Sequence, residues 1–140
     1  MIALQIAEQK SERNIWCLDG DGALLMHTGV MSLIGARQPE NFVHVLLNNF
    51  AHESVGGAPT VANSVDFCAI ALACGYKKVY KVKEEKTLAE VVTKVKKEQG
   101  PVFIEIVVKN SSRKNLGRPQ ITPIQNKAGF MEFLKKEGEF

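Results

Sequence analysis

The sequence predicts an α/β fold, an open parallel sheet with helices on both faces, and three observations carry that expectation. Short apolar runs alternate with helix-like segments along the whole chain. Those runs are apolar throughout instead of alternating with polar residues, as befits strands covered on both faces. The stretches between them are long enough for crossovers, which need at least about 10–12 residues. A chain of 140 residues has room for one domain with a sizeable core, and residues 1–140 are read as a single domain.

Each element has its own justification. Ile2 to Gln9 reads as the second half of a helix with no strand before it, so the sheet is expected to be cut short at its N-terminus and to need further polypeptide. Ile15 to Leu18 is the first strand, and Leu24 to Arg37 reads as one helix. Phe42 to Leu47 is the second strand. Val61 to Ala73 is helix-like and nearly apolar all round, which predicts burial, in part against another subunit. Val79 to Val82 forms the third strand. From Leu88 to Gln99, apolar Leu88, Val91, Val92 and Val95 recur at i, i+3, i+4 and i+7, with Thr87 and Glu90 spaced as a capping box and Gly100-Pro101 as the stop. Val102 to Val108 is the fourth strand. The polar, proline-containing segment 110–124 is expected to be irregular, followed by an amphipathic helix carrying Phe130, Phe133 and Leu134.

Charge and composition exclude several classes. The net charge of +3 comes mostly from lysines that alternate with glutamates and apolar residues between Lys77 and Lys97. Such a run, without interleaved aromatics, is a solvated face and not a nucleic-acid patch. Cys17, Cys68 and Cys74 sit in apolar contexts without CxxC spacing, which predicts reduced thiols in a cytoplasmic protein instead of a disulfide frame or zinc site. The N-terminus lacks a signal-peptide pattern, and no segment reaches the roughly 18 apolar residues of a membrane span.

The chemistry concentrates at two strand ends. The first strand runs into Gly20-Asp21-Gly22 and the second into Asn48-Asn49, with residues 23–47 between. In open parallel sheets ligands gather at the carboxyl ends of strands, so the Asp21 carboxylate and the Asn49 amide oxygen can converge on one hard cation. Magnesium favours such oxygens, taking few from protein and the rest from water and phosphate. Gly20 and Gly22 remove side chains where a phosphate would approach the backbone, and a helix opening near Ala23 offers free amide hydrogens. A dinucleotide fingerprint fails for want of a third glycine near Leu25, and no Gly-Lys-Ser/Thr marks a P-loop. Spacing alone leaves open a structural Asp turn with a strand-ending Asn pair.

This Gly-Asp-Gly to Asn-Asn pattern resembles the motif of thiamine-diphosphate-dependent 2-oxo acid decarboxylases. Leu18 to His27, His44 to Asn49, His52 to Gly57 and the tail pieces Leu116 to Pro119 and Thr122-Pro123 are most similar to the phosphonopyruvate decarboxylase family. The sulfopyruvate decarboxylase family stands close behind through the pattern at Ser54 to Thr60. The resemblance implies a thiamine-diphosphate-binding fold, thiamine diphosphate and Mg2+ as cofactors, and decarboxylation of 3-phosphonopyruvate, or a similar anionic 2-oxo acid, to an aldehyde. It implies that Asp21, Asn49 and the Ala51 carbonyl bind the metal, that Gly20, Gly22 and Ala23 face the diphosphate, and that His52 to Gly57 form the loop over the cofactor, with Ser54 and Val55 near the reacting carbon and His52 a candidate for proton transfer or substrate binding. Where this chain has Asn48, family members often have aspartate, leaving Asn49 as the ligand. The family's activating glutamate lies on a pyrimidine-binding domain, so such a domain, in the same or another chain of a homo- or hetero-oligomer, is an implied partner and the isolated chain is expected to be inactive. A non-catalytic interaction module with the same fold is the rival reading.

Other residues carry weaker expectations. His27 is read as a solvated or capping residue with a possible reach to the site, and His44 as a packed or surface residue. Arg113 and Arg118 are candidates for a bidentate clamp on a phosphonate. Glu105 is expected to hydrogen-bond at a sheet edge or interface.

Overall fold

In the computed structural model, which describes residues 1–112 and 115–136, the four apolar runs form one parallel sheet. The elements are α1 (Ile2–Gln9), β1 (Ile15–Gly20), α2 (Asp21–Met26), α3 (Gly29–Arg37), β2 (Phe42–Asn48), the two-residue strands β3 (Ala51–His52) and β4 (Ala58–Pro59), α4 (Phe67–Cys74), β5 (Lys78–Val82), α5 (Glu85–Val95), β6 (Val102–Val107) and α6 (Pro123–Lys135). The sheet order is β1-β2-β6-β5, and β3 and β4 form a separate small hairpin. Two compact units result, Met1–Asn110 and Ser111–Phe140.

Alternation along the strands sorts residues onto two faces. One face carries Phe42, Leu46 and Phe103, buried against Leu4 of α1, Leu24 of α2, Met31 and Ile34 of α3, and Phe67 and Ala71 of α4. The other carries Val43, Val45, Val82, Val102 and Ile104, and among the described residues of the first unit α5 covers it, through Leu88, Val91 and Val95. Both faces therefore bear helices, as expected, but unequally. Of the large apolar residues in the four-stranded sheet, Leu18 at 69% and Leu47 at 39% remain exposed.

Several boundaries differ from the sequence expectation, each for a local reason. The helix expected from Leu24 to Arg37 is two helices. Thr28 Oγ1 donates to the carbonyls of Leu24 (2.9 Å) and Leu25 (3.2 Å), while His27 Nδ1 lies 3.3 Å from the Ala23 carbonyl, so side chains take over the end of α2. The segment 61–73 likewise divides, because the Asp66 carboxylate accepts from Ala69 N (3.0 Å) and starts α4 there. Only Phe67 and Ala71 of α4 are buried, and Leu72 is exposed, so this helix is half-covered instead of enclosed. Thr87 lies inside α5, which begins after Glu84 without a side-chain cap. A capping box forms instead at α6, where Thr122 N donates to Gln125 Oε1 (2.9 Å) and Gln125 N to Thr122 Oγ1 (3.3 Å). Glu105 lies at no sheet edge: β6 runs between β2 and β5, and Glu105 is 1% exposed.

His44 is buried. Its Nδ1 lies 3.0 Å from the Tyr76 hydroxyl, its Nε2 3.5 Å from Asp19 Oδ2, and its ring meets Phe103 edge-on. Hydrogen bonding to His44 is the main cause holding the Asp19 carboxyl below its ordinary 3.8. All three cysteines are free and half-buried, and no described helix is long and apolar enough to cross a membrane.

Two predictions follow from this packing. A Cβ at Gly35 would lie 1.6 Å from the Cys74 carbonyl oxygen, whereas one at Gly29 meets nothing within 4 Å. Gly35→Ala should lower stability by about 1–3 kcal/mol, the usual range for overpacking, and Gly29→Ala should not, read as urea midpoints at constant slope. Because Asp19's folded pKa is lowered, its contribution is complete above 3.8 and is lost as pH falls through the folded value. Asp19→Asn should therefore unfold with a shallower acid dependence than the unaltered chain, measured as urea midpoints between pH 5 and pH 2.

Candidate functional site at the carboxyl ends of β1 and β2

The site begins with backbone pairing. β1 and β2 are parallel neighbours with Gly20 opposite Leu47, so Asp21 and Asn49, one and two residues beyond that rung, emerge at the same sheet edge. Adjacent strands lie about 4.8 Å apart. The chain on each side then turns sharply: β1 passes directly into α2 at Asp21, and β2 passes into a bend at Phe50, which holds a left-handed φ of 60°.

Asp21 is a buried carboxylate, 2% exposed. Thr60 Oγ1 donates to its Oδ2 at 2.5 Å, and Thr60 Oγ1 in turn accepts from Ala62 N at 3.3 Å. Burying a carboxylate is costly unless its lone pairs are used, and Thr60 meets that need on one oxygen. Thr60, at the start of the loop after β4, is a site residue that the sequence does not mark out. Its only signal there is membership of the Ser54 to Thr60 pattern.

Asn49 is fixed differently. Its Oδ1 accepts from Ala51 N at 3.1 Å and its Nδ2 donates to Glu53 Oε2 at 3.2 Å. An amide oxygen has two lone pairs, so one remains on Asn49 Oδ1 for a cation. Thr60 N donates to Phe50 O at 3.0 Å, and Ala51 faces Pro59 in the antiparallel ladder. By the alternation of such ladders Ala51 occupies a non-hydrogen-bonded position. A proline opposite it forfeits no ladder bond, and the Ala51 carbonyl points away from β4.

His52 packs against the glycine loop. A Cβ at Gly22 would fall 2.4 Å from His52 Nδ1, while a Cβ at Gly20 would meet nothing within 4 Å. Glycine at position 22 thus admits the His52 ring, a reason invisible in the sequence, which suggests only the approach of a phosphate. Beyond His52 the hairpin closes with a one-turn helix at Glu53–Val55 and two glycines, Gly56 (φ 97°) and Gly57 (φ 75°), in the left-handed region. Ser54 and Val55 lie exposed at its tip, Val55 at 75%.

The structure therefore brings Asp21 and Gly22 together with Thr60 and His52, and Asn49 together with Ala51 and Glu53. Ala23 is exposed in the first turn of α2, and His27 is exposed at its end, as a cap. Arg118 is exposed, and Arg113 lies outside the described residues. To a cation Asp21 could offer a carboxylate oxygen, Asn49 an amide oxygen and Ala51 a backbone carbonyl. All are hard oxygens, which suits magnesium with water and phosphate oxygens completing its shell.

Residues 1–106 match the family model described as thiamine pyrophosphate enzyme, C-terminal TPP binding domain. A phosphonopyruvate decarboxylase from Streptomyces viridochromogenes is 34% identical over 122 residues, which span 87% of this chain and 31% of that protein. A sulfopyruvate decarboxylase subunit beta from Methanococcus maripaludis is 27% identical over 135 residues, spanning 96% of this chain and 69% of the relative. The chain thus spans about a third of the phosphonopyruvate decarboxylases that it matches. Among solved structures, transketolase from Campylobacter jejuni superposes with a TM-score of 0.56 at 18% identity, over 76% of this chain and 18% of that one, which is a likeness of fold.

Removing the donor on Asp21 should be costly. Thr60→Val is expected to destabilise the fold by about 1.5–3 kcal/mol, the range for a hydrogen bond to a charged group, and Thr60→Ser by much less, measured by urea unfolding at pH 7. Thr60→Val matching Thr60→Ser in stability would contradict the role assigned to the hydroxyl.

Proposed function

Because the chain belongs to the family of thiamine pyrophosphate enzymes, matching their C-terminal TPP-binding domain, we propose that it supplies the diphosphate-binding half of a magnesium-dependent 2-oxo acid decarboxylase. The observation that carries this reading is the pair of prepared oxygens at neighbouring strand ends: Asp21, buried with one oxygen held by Thr60, and Asn49, oriented by Ala51 N. In this reading Asp21, Asn49 and the Ala51 carbonyl hold Mg2+, and Gly20, Gly22 and Ala23 lie along the diphosphate. Bound thiamine diphosphate supplies the electron sink that lets a 2-oxo acid release carbon dioxide.

The chain's own residues bind, orient and shield. The carboxylate and amide oxygens would hold Mg2+, and the cation's charge would offset that of the diphosphate. His52, seated against Gly22, offers an imidazole beside that loop for moving a proton, and Ser54 and Val55, at the hairpin tip, would lie near the reacting carbon. The substrate proposed is 3-phosphonopyruvate, which would lose carbon dioxide and take up a proton to give phosphonoacetaldehyde. The identity to phosphonopyruvate decarboxylases supports it. Sulfopyruvate is the second reading, favoured by beta subunits of which this chain spans half or more. Those relatives also support a partner polypeptide in a hetero-oligomer, one that supplies a pyrimidine-binding domain, and a cytoplasmic setting suits such metabolism.

The test uses Mn2+ as a paramagnetic stand-in for Mg2+. With thiamine diphosphate present, the chain should bind Mn2+, and Asp21→Ala or Asn49→Ala should weaken that binding at least about tenfold, followed by electron paramagnetic resonance. Unchanged binding in both variants would sink the assignment. The isolated chain should not turn over 3-phosphonopyruvate or sulfopyruvate, and measurable aldehyde from either would overturn the need for a partner.

A further inference from the structure

Glu105 is a charged residue in the middle of the sheet for which the proposed chemistry has no use. Its neighbours account for both of its oxygens. Oε1 accepts from Asn48 Nδ2 at 2.9 Å, and Oε2 lies 2.9 Å from Lys81 Nζ and 3.5 Å from Cys68 Sγ. Lys81 is the direct cross-strand partner of Glu105, while Asn48 lies one pleat beyond Leu46, the Glu105 partner on β2. Burial and the neighbouring carboxylate push the Cys68 thiol up to about 12, so it stays a donor.

This arrangement fixes the polarity of Asn48. An ionised carboxylate only accepts, so Asn48 must turn its NH2 toward Glu105, which leaves Oδ1 on the other side. There Oδ1 accepts from Phe50 N at 3.2 Å. Phe50 is the left-handed residue of the bend, and Asn49 and Ala51 flank it. We infer that Glu105 is a positioning residue for the cation-binding bend: through the orientation of Asn48 it holds Phe50, and with it the Asn49 amide oxygen and the Ala51 carbonyl. The inference rests on the metal role proposed for Asn49 and Ala51, and extends it to a side chain on another strand that touches neither.

Substitution gives a patterned test. In Glu105→Gln, Lys81 claims the glutamine oxygen, so the glutamine NH2 faces Asn48. Asn48 must then flip and present its own NH2 to Phe50 N–H. In Asn48→Asp, the bond from Phe50 survives but two carboxylates meet at the 2.9 Å contact. In the double variant a glutamine NH2 donates to an aspartate, whose second oxygen still accepts from Phe50. Hydrogen exchange by NMR on the 140-residue chain should show the Phe50 and Ala51 amides exchanging about tenfold faster in Glu105→Gln, with Val45 and Ile104 unchanged. Asn48→Asp should lower protection everywhere, and the double variant should restore both. In parallel, Glu105→Gln should weaken Mn2+ binding with thiamine diphosphate by about 10–100-fold, and the double variant should recover it.

The inference fails if Glu105→Gln loosens core and bend alike, if the double variant is no better than Glu105→Gln, or if Mn2+ affinity is unmoved while the unaltered chain binds. Failure of the unaltered chain to bind Mn2+ with thiamine diphosphate would overturn the cofactor reading itself, and with it the role inferred for Glu105.

Discussion

The parallel pairing of β1 with β2 is the constraint from which the rest follows. Six residues of each strand lie in register, ending at Gly20 opposite Leu47, and backbone hydrogen bonds leave little freedom in where the two chains leave the sheet. A slip of one residue would exchange the two sets, turning Phe42 and Leu46 toward the α5 face and Val43 and Val45 toward the face covered by α1 to α4. Burial on both faces therefore enforces the register, and the register sets Asp21 and Asn49 at one edge. The site inherits its precision from apolar packing some distance from it.

Charges and polar groups at that edge persist because each has an assigned partner. Asp21 has Thr60, Asn49 has Ala51 N and Glu53, Asn48 has Glu105 and Phe50 N, and Glu105 has Lys81 and Asn48. Low local polarity strengthens such bonds and raises the penalty for losing one. The supporting residues come from several parts of the chain: Thr60 from beyond the hairpin, Glu105 from β6 and Lys81 from β5. Lys81 keeps its ammonium partly in solvent, and its pKa is raised chiefly by the hydrogen bond to Glu105, so the sheet carries this charge without isolating it.

Much of the fold was legible because it depends on local pattern. The four strands, α1 and the Gly-Asp-Gly to Asn-Asn spacing follow from apolar runs and motif distances that need no tertiary knowledge. Side-chain competition for backbone groups was not legible. Thr28 ends one helix by bonding to the carbonyls of Leu24 and Leu25, Asp66 starts another, and Thr87 fails to cap α5 although its spacing from Glu90 permits it. Each alternative is close in energy to the helix, so surrounding contacts decide. The unequal coverage of the sheet, with four helices packed on one face and α5 on the other, also lies beyond periodicity.

By itself the sequence determined the α/β class, the strand positions and the residue types at the two strand ends, because covalent order and side-chain chemistry suffice for these. Only the tertiary structure decided the reason for Gly22, which is the His52 ring pressed against it, and the partner of Asp21, which is the Thr60 hydroxyl. It alone placed Glu105, expected at a sheet edge or interface, in the sheet interior, where its charge dictates the orientation of Asn48. These contacts join residues dozens of positions apart. Which of them form depends on how strands are ordered in the sheet, and that order is set by the burial of both faces at once and not by any local pattern.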